Sequence, residues 1–178
     1  MMGEQVVQIL QHYRHELMNH LQIVQGYVGM RNIEKAEKKL SEIVEYYNEE
    51  RKLMNLNAPD FMLWIIQFNM RYNNFRLTYT IHPEYKNLHA SDSLLVSQFH
   101  DFMERCVEIL NPELLYEVKL VAEERSDTRI EMMLSIICEM DEAEQLMDDI
   151  KKMQKDEAAE IVIAKTMNGV SFGLIVSQ

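Results

Sequence analysis

Seven residues near the start of the chain, Gln8, His12, His15, Asn19, Gln22, Gly26 and Gly29, recur at alternating spacings of four and three. On a helix that alternation lines them along one solvent-facing strip. The strip carries two imidazoles and a carboxamide within two turns, followed by two glycines. A neutral imidazole is a good nucleophile near pH 7, because its unperturbed pKa is about 6.5. Its usual electrophiles are carbonyl carbon and phosphorus. No Ser or Cys nucleophile stands on the strip at helical spacing, so a hydrolase triad has no support. His12 and His15 are three apart, as metal ligands on one helix face can be. His20 falls on a different face, however, and Glu16 points away, so only two good ligands converge. Spacing alone therefore leaves three readings open: ordinary surface histidines, a phosphoryl relay, or a metal site. The glycines each cost a helix interior about 1 kcal/mol. Together they leave a low surface where a partner's loop can approach the backbone.

The strip needs a helix to carry it. Val7, Leu10, Arg14, Leu17, Leu21, Val24 and Val28 form a coiled-coil-like seam, interrupted only by Arg14. A short turn at Gly29–Asn32 follows, then a second helix with a seam of Ile33, Ala36, Leu40, Ile43, Tyr47 and Met54. Glu50 fills the remaining slot of that seam, and Glu34, Lys38, Glu45 and Glu49 make a solvated face. Two helices joined by a short turn form an antiparallel hairpin. One hairpin covers only part of its apolar surface, and a homodimeric four-helix bundle is the economical way to cover the rest.

The turn-forming cluster Asn55–Asp60 ends this pattern, which sets the expected division at 1–55 for the hairpin and 56–178 for a second domain. In that second part, Asp60–Tyr72, Ser93–Leu110 and Glu142–Lys155 read as helices. Arg76–Ile81, Leu115–Ala122 and Arg129–Cys138 read as strands, the last two around a polar turn at Glu123–Asp127. Glu160–Lys165 and Val170–Val176 read as a closing hairpin around Asn168-Gly169. Helices mixed with mostly antiparallel strands predict an α+β sandwich.

The composition narrows the class. The 178 residues are 47% apolar with few Pro and Gly, as expected of a folded chain without many tight β-turns. A net charge of −11 disfavours direct nucleic-acid binding, and no basic patch offsets it. Between Glu104 and Glu160 stand 17 acidic and 7 basic residues, whereas Arg31–Asn55 holds six of each sign. Cys106 and Cys138 make neither a disulfide framework nor a zinc spacing, so a reduced, cytoplasmic setting is expected. The longest apolar run, Phe61–Ile66, is far short of the roughly 20 residues of a membrane span, and the start of the chain lacks a signal-peptide pattern.

The run Arg14-His15-Glu16-Leu17-Met18-Asn19-His20-Leu21-Gln22 resembles the phospho-acceptor helix of two-component signalling proteins: a His, an acidic residue next, and an Asn four positions after the His. Extended to Gly26, it is most similar to the sporulation initiation phosphotransferase B family and related sensor kinases. That resemblance implies a helical hairpin followed by an α+β domain of the kinase ATPase type. Two departures separate a phosphotransferase from a kinase. Asp101 and Arg105 stand where a kinase's nucleotide-binding helix carries asparagines, and no glycine occurs between Met30 and Asn168 to build a nucleotide lid. The C-terminal domain is therefore expected to be a degenerate relative without a nucleotide site.

The resemblance implies that His15 accepts a phosphoryl group through Nε2 from the aspartyl phosphate of one response regulator and passes it to the aspartate of a second. Such transfer depends on positioning and charge stabilisation. No cofactor of its own is expected, since the regulator would bring its Mg²⁺. Glu16 is assigned by resemblance to hold or polarise the imidazole, although its heptad position is off the strip. Asn19 would orient the phosphoryl group or a partner residue, or simply be solvated. Arg14 would reach out to phosphate charge or pair with an acid across the bundle. His12, Gln22, Gly26 and Gly29 would meet the partner. The rival readings are a non-catalytic dimeric adaptor for regulators and a degenerate soluble sensor kinase.

Overall fold

The computed structural model describes residues 2–84, 86–152 and 160–177. The chain divides into two compact units, Met1–Glu50 and Arg51–Gln178. The division falls within the last turn of the second helix, just ahead of the Asn55–Asp60 turn cluster.

The first unit is built from α1 (Met2–Gly29) and α2 (Ile33–Met54). Arg31 takes the left-handed backbone conformation (φ 54°) that reverses the chain, and Asn32 caps α2 by accepting the Lys35 N–H at 3.1 Å. The helices run antiparallel, as three paired contacts show. The Lys35 ammonium lies over the Tyr27 ring, His20 meets Tyr46 with ring centroids 6.1 Å apart, and Tyr13 hydrogen-bonds Glu50. On α1, Ile9, Tyr13, Glu16, His20, Val24 and Tyr27 are half-buried, and on α2, Ala36, Ile43 and Glu50 are buried.

That inner face differs from the seam read in the sequence. Val7, Leu10, Leu17, Leu21 and Val28 are 39–63% exposed, and Ile33, Leu40 and Met54 are 51–54% exposed. Of the two seams, Val24, Ala36, Ile43 and Tyr47 are covered within the chain. A helix has room for two apolar stripes, and the heptad pattern marks the one that a single hairpin leaves uncovered.

The second unit is a two-layer α+β structure, so the expected order of a helical hairpin followed by an α+β domain is borne out. Its elements are α3 (Pro59–Arg71), β1 (Phe75–Ile81), α4 (Asp92–Ile109), β2 (Tyr116–Ser126), β3 (Arg129–Ile137), α5 (Met140–Ile150), β4 (Glu160–Thr166) and β5 (Gly169–Ser177). The sheet order is β1-β2-β3-β5-β4. β1 pairs parallel to β2, and the connection that permits this runs through α4; the other pairs are antiparallel. Alternate residues of the central strands, such as Leu120, Leu134 and Phe172, are buried in one core with Phe61, Phe68, Phe99, Phe102 and Leu146 of the helices. Phe102 stacks on Phe172 at 5.1 Å between centroids.

Three local details depart from the expected elements. β2 extends to Ser126, leaving only Asp127 and Thr128 between the strands, because a solvent-facing polar strand end reads as turn. α5 starts at Met140, where Glu139 and Glu142 form a capping box, and stops at Ile150; the predicted extension to Lys155 lies partly outside the described residues. In the closing hairpin the loop is Met167-Asn168, and Gly169 opens β5 at φ 152°, where a Cβ would collide with the Ile136 carbonyl.

One buried carboxylate ties this unit together. Asp92 of α4 accepts the backbone N–H groups of Asp60 and Phe61 at 3.0 and 2.7 Å, capping α3 from a distance. Ala58, at the N-cap position itself, has no side chain able to do so. Arg105 of α4 forms an ion pair with Asp149 of α5, and Asp101 is exposed. Among the described residues, no helix is long and apolar enough to cross a membrane.

Candidate functional site

α1 carries the candidate residues on an uninterrupted helix, and the structure sorts them by exposure. His15, Asn19, Gln22, Gly26 and Gly29 are exposed, as is Arg14 in its seam slot. His12 is half-buried, which corrects its placement among the fully solvent-facing residues. His20 is turned toward α2, and its Nδ1 is buried with no hydrogen-bond partner among the described residues.

Two side-chain pairs, each one helical turn long, organise the strip. The amide of Asn19 lies 3.2 Å from Nδ1 of His15. Glu16 Oε1 lies 3.4 Å from Nε2 of His12. The acidic neighbour of His15 therefore engages the other histidine. Among the described residues, the Asn19 amide is the only hydrogen-bond partner given to the His15 ring.

At the far end of the strip, a Cβ added to Gly26 or Gly29 meets nothing within 4 Å. Gly26 is inside α1 and has no positive φ. Neither crowding nor backbone conformation within this chain calls for glycine there.

Sequence reasoning did not identify the polar cluster beneath the strip. Glu50 is 5% exposed, and its Oε2 has no hydrogen-bond partner among the described residues. Burial raises its carboxyl pKa, the Tyr13 hydroxyl donating to it opposes that rise, and the nearby Glu16 charge adds to it. Burial, then the charges of Glu16 and Glu50, push the Tyr46 phenol up to about 12. Burial and the same two carboxylates also raise Tyr47. The only sequence signal was a glutamate in a seam slot.

No group of three or more His, Cys, Asp or Glu among the described residues is placed to hold a metal ion. Cys106 is buried in the core of the second unit, and its thiol is raised well above its ordinary value by burial.

Residues 1–56 match the family model described as the alpha-helical domain of SpoOB-type sensor kinases. Sporulation initiation phosphotransferase B of Bacillus subtilis (strain 168) is 30% identical over 91 residues, covering 51% of this chain and 47% of that protein. The chain thus spans about half the length of this curated relative. The resemblance carried by Arg14–Gln22 is borne out by these two matches. Among solved structures, the catalytic domain of histidine kinase ThkA aligns at a TM-score of 0.47 and 16% identity, over 71% of this chain and 92% of that one. A crystal structure of histidine kinase ThkA in complex with response regulator protein TrrA aligns at a TM-score of 0.43 and 15% identity, over 96% of this chain and 61% of that one.

Proposed function

We propose that this chain, whose residues 1–56 match the SpoOB-type alpha-helical domain model, is a phosphorelay phosphotransferase. It takes a phosphoryl group from the aspartyl phosphate of one response regulator onto His15 and delivers it to the aspartate of a second, in a pathway akin to sporulation initiation. The observation that carries this reading is the placement of His15. It is exposed at mid-helix in the matched domain, and the Asn19 amide lies at its Nδ1, so Nε2 is the ring nitrogen without a hydrogen-bond partner among the described residues.

The step is a displacement at phosphorus. The Nε2 lone pair forms the N–P bond while the acyl P–O bond breaks, and that bond's electrons leave on the regulator's carboxylate. Delivery to the second aspartate is the reverse. The protein's part is to hold the nucleophile in line on a rigid helix, where correct placement can supply several kcal/mol (roughly 7–11 at best) of the barrier. The regulator brings the Mg²⁺ that neutralises phosphoryl charge, so this chain needs no cofactor of its own. Arg14 is exposed one position before His15, and its long side chain is assigned to bring further positive charge to the phosphoryl oxygens.

The open surface at Gly26 and Gly29 supports a partner lying along α1 beyond Asn19. The exposed stripe of Val7, Leu10, Leu17, Leu21 and Val28, with Ile33 and Leu40 on α2, supports a homodimer in which two hairpins make a four-helix bundle. Cytoplasmic residence follows from the proposed partners. For the second unit, the engagement of Arg105 by Asp149 and the lack of glycine between Met30 and Asn168 support a domain without a nucleotide site.

The experiment is to mix the purified protein with a phosphorylated response regulator, remove the regulator, and add an unphosphorylated second one. Phosphate appearing first on this chain and then on the second regulator is the expected result. Binding of both regulators with no phosphate on this chain would replace the transferase with a docking adaptor.

A further inference from the structure

The contact between Asn19 and His15 has a chemical consequence for which ring nitrogen can attack. We propose that Asn19 sets the tautomer of His15: its side-chain carbonyl accepts the Nδ1–H and leaves the Nε2 lone pair free for phosphorus. The proposal rests on the phosphotransferase reading and makes it specific to one ring atom.

The two residues are four apart on α1, with the amide 3.2 Å from Nδ1. Residues at that spacing are neighbours on the helix surface, so the pair is held by the helix itself and needs no partner protein. A neutral imidazole has one N–H and one bare nitrogen, and the hydrogen bond at one nitrogen decides which state prevails. As placed, the amide nitrogen faces Nδ1; a half-turn about the Cβ–Cγ bond brings Oδ1 to the same point. With the NH₂ toward Nδ1, the ring proton sits on Nε2 and attack from that atom is blocked. With Oδ1 toward Nδ1, the proton sits on Nδ1 and Nε2 is a nucleophile.

The product selects between these states. Once the phosphoryl group is on Nε2, the remaining ring proton is on Nδ1 and points at Asn19. The carbonyl end of the amide accepts it; the NH₂ end would oppose it. During the step the Nε2–P bond forms and the acyl P–O bond breaks toward the regulator's carboxylate. No proton moves, and the positive charge arising on the ring is met at Nδ1–H by Oδ1.

The adjacent carboxylate does not compete for this role, because Glu16 lies against Nε2 of His12 at 3.4 Å. An amide acceptor also suits a relay. It orients the ring without adding the full negative charge that would hold the phosphorylated, cationic ring and slow onward delivery. Asn19 is thus a positioning residue that acts through His15.

The test uses the full-length wild type, Asn19→Leu and Asn19→Asp, with helix content checked by circular dichroism. Nitrogen-15 NMR at about pH 8.5, two units above the ordinary imidazole value of about 6.5, reads the neutral tautomer of His15 without any phosphoryl donor. The wild type should carry its proton mainly on Nδ1. Asn19→Leu should revert toward the Nε2–H form of an unrestrained side chain, and Asn19→Asp, which keeps an acceptor, should restore Nδ1–H. Single-turnover phosphorylation from a regulator should slow about tenfold in Asn19→Leu, the effect of one hydrogen bond, and recover in Asn19→Asp. An unchanged tautomer ratio in Asn19→Leu overturns the proposal, as does wild-type phosphorylation by that variant. A tautomer shift as expected, with no phosphate ever reaching wild-type His15, supports the Asn19 assignment and overturns the phosphotransferase reading instead.

Discussion

The carboxylate of Glu16 stands 3.4 Å from Nε2 of His12, one turn back along α1, and not against its chain neighbour His15. Adjacent residues on a helix do not face each other, whereas residues four apart do. The family resemblance implied that the acid holds the reactive imidazole; helix geometry assigns it to the other histidine. Glu16→Gln is therefore expected to slow phosphoryl transfer by less than about fivefold, the scale of one exposed ion pair. Single-turnover kinetics from a phosphorylated regulator measure this. A loss near that of a His15 variant would show that the carboxylate swings to His15 during reaction.

Gly26 separates stability from function. Its site is open on all sides, and glycine inside a helix is destabilising by roughly 0.5–1 kcal/mol relative to alanine. Gly26→Ala should raise the melting temperature of the hairpin, and Gly26→Leu should do the same. Only the leucine should slow transfer strongly, by obstructing the partner's approach. If Gly26→Leu transfers at the wild-type rate, the partner does not lie along this part of the helix.

The exposed apolar stripe bears on oligomeric state. Leu40 is 51% exposed in the single chain, although it lies in the seam of α2. In a four-helix bundle it would be buried, and a carboxylate there would lose its water. Leu40→Asp should raise the dimer dissociation constant at least about tenfold, a penalty of about 1.4 kcal/mol or more, with little effect on the monomer. Sedimentation equilibrium tests both proteins. A wild-type monomer at micromolar concentration would remove the bundle from this account.

Glu50 links the hairpin to pH. Its carboxyl is raised above the ordinary 4.5, so the folded state holds this proton more tightly than the unfolded state. The resulting cost to stability is absent below 4.5, grows as pH rises toward the folded value, and is fully present beyond it. Glu50→Gln removes the charge and keeps an acceptor for the Tyr13 hydroxyl. It should raise the melting temperature at pH 7.5 and have little effect near pH 4. The Tyr46 phenol should also titrate somewhat below about 12 in this variant, since the Glu50 charge is one cause of its shift. Equal changes in melting temperature at both pH values would mean that ionisation of Glu50 is not what costs stability.

The elements of the fold were legible where periodicity was strong. The two long helices, the β4–β5 hairpin and the alternation of β1 followed from apolar spacing. What was not legible depends on partners distant in sequence. Asp92 capping α3 spans 32 positions, and nothing near either residue signals it. The parallel pairing of β1 with β2 is likewise a choice of neighbour, not of local conformation. β2 was read too short because Glu123 and Arg125 are polar, and a polar strand end exposed to solvent has the composition of a turn.

In the site, the strip from His15 to Gly29 was readable because exposure on one helix follows from spacing. The partners of the side chains were not. Spacing put Glu16 off the strip without identifying His12 as its partner, and it gave no indication of the cluster in which Tyr13 donates to the buried Glu50 and His20 meets Tyr46 across the two helices. That cluster depends on how α2 rotates against α1, and heptad counting on each helix separately does not fix this rotation.

The central claim is that His15, and not His12, carries the phosphoryl group. Wild type, His15→Gln and His12→Gln are incubated with a phosphorylated response regulator, and the phosphate on each is measured for stability in acid and in base. The wild type and His12→Gln should acquire acid-labile, base-stable phosphate, as a phosphoramidate is. His15→Gln should acquire none while keeping its melting behaviour, since an exposed substitution changes stability by no more than about 0.5 kcal/mol. Acid-labile phosphate on His15→Gln, or its loss from His12→Gln alone, would contradict the assignment.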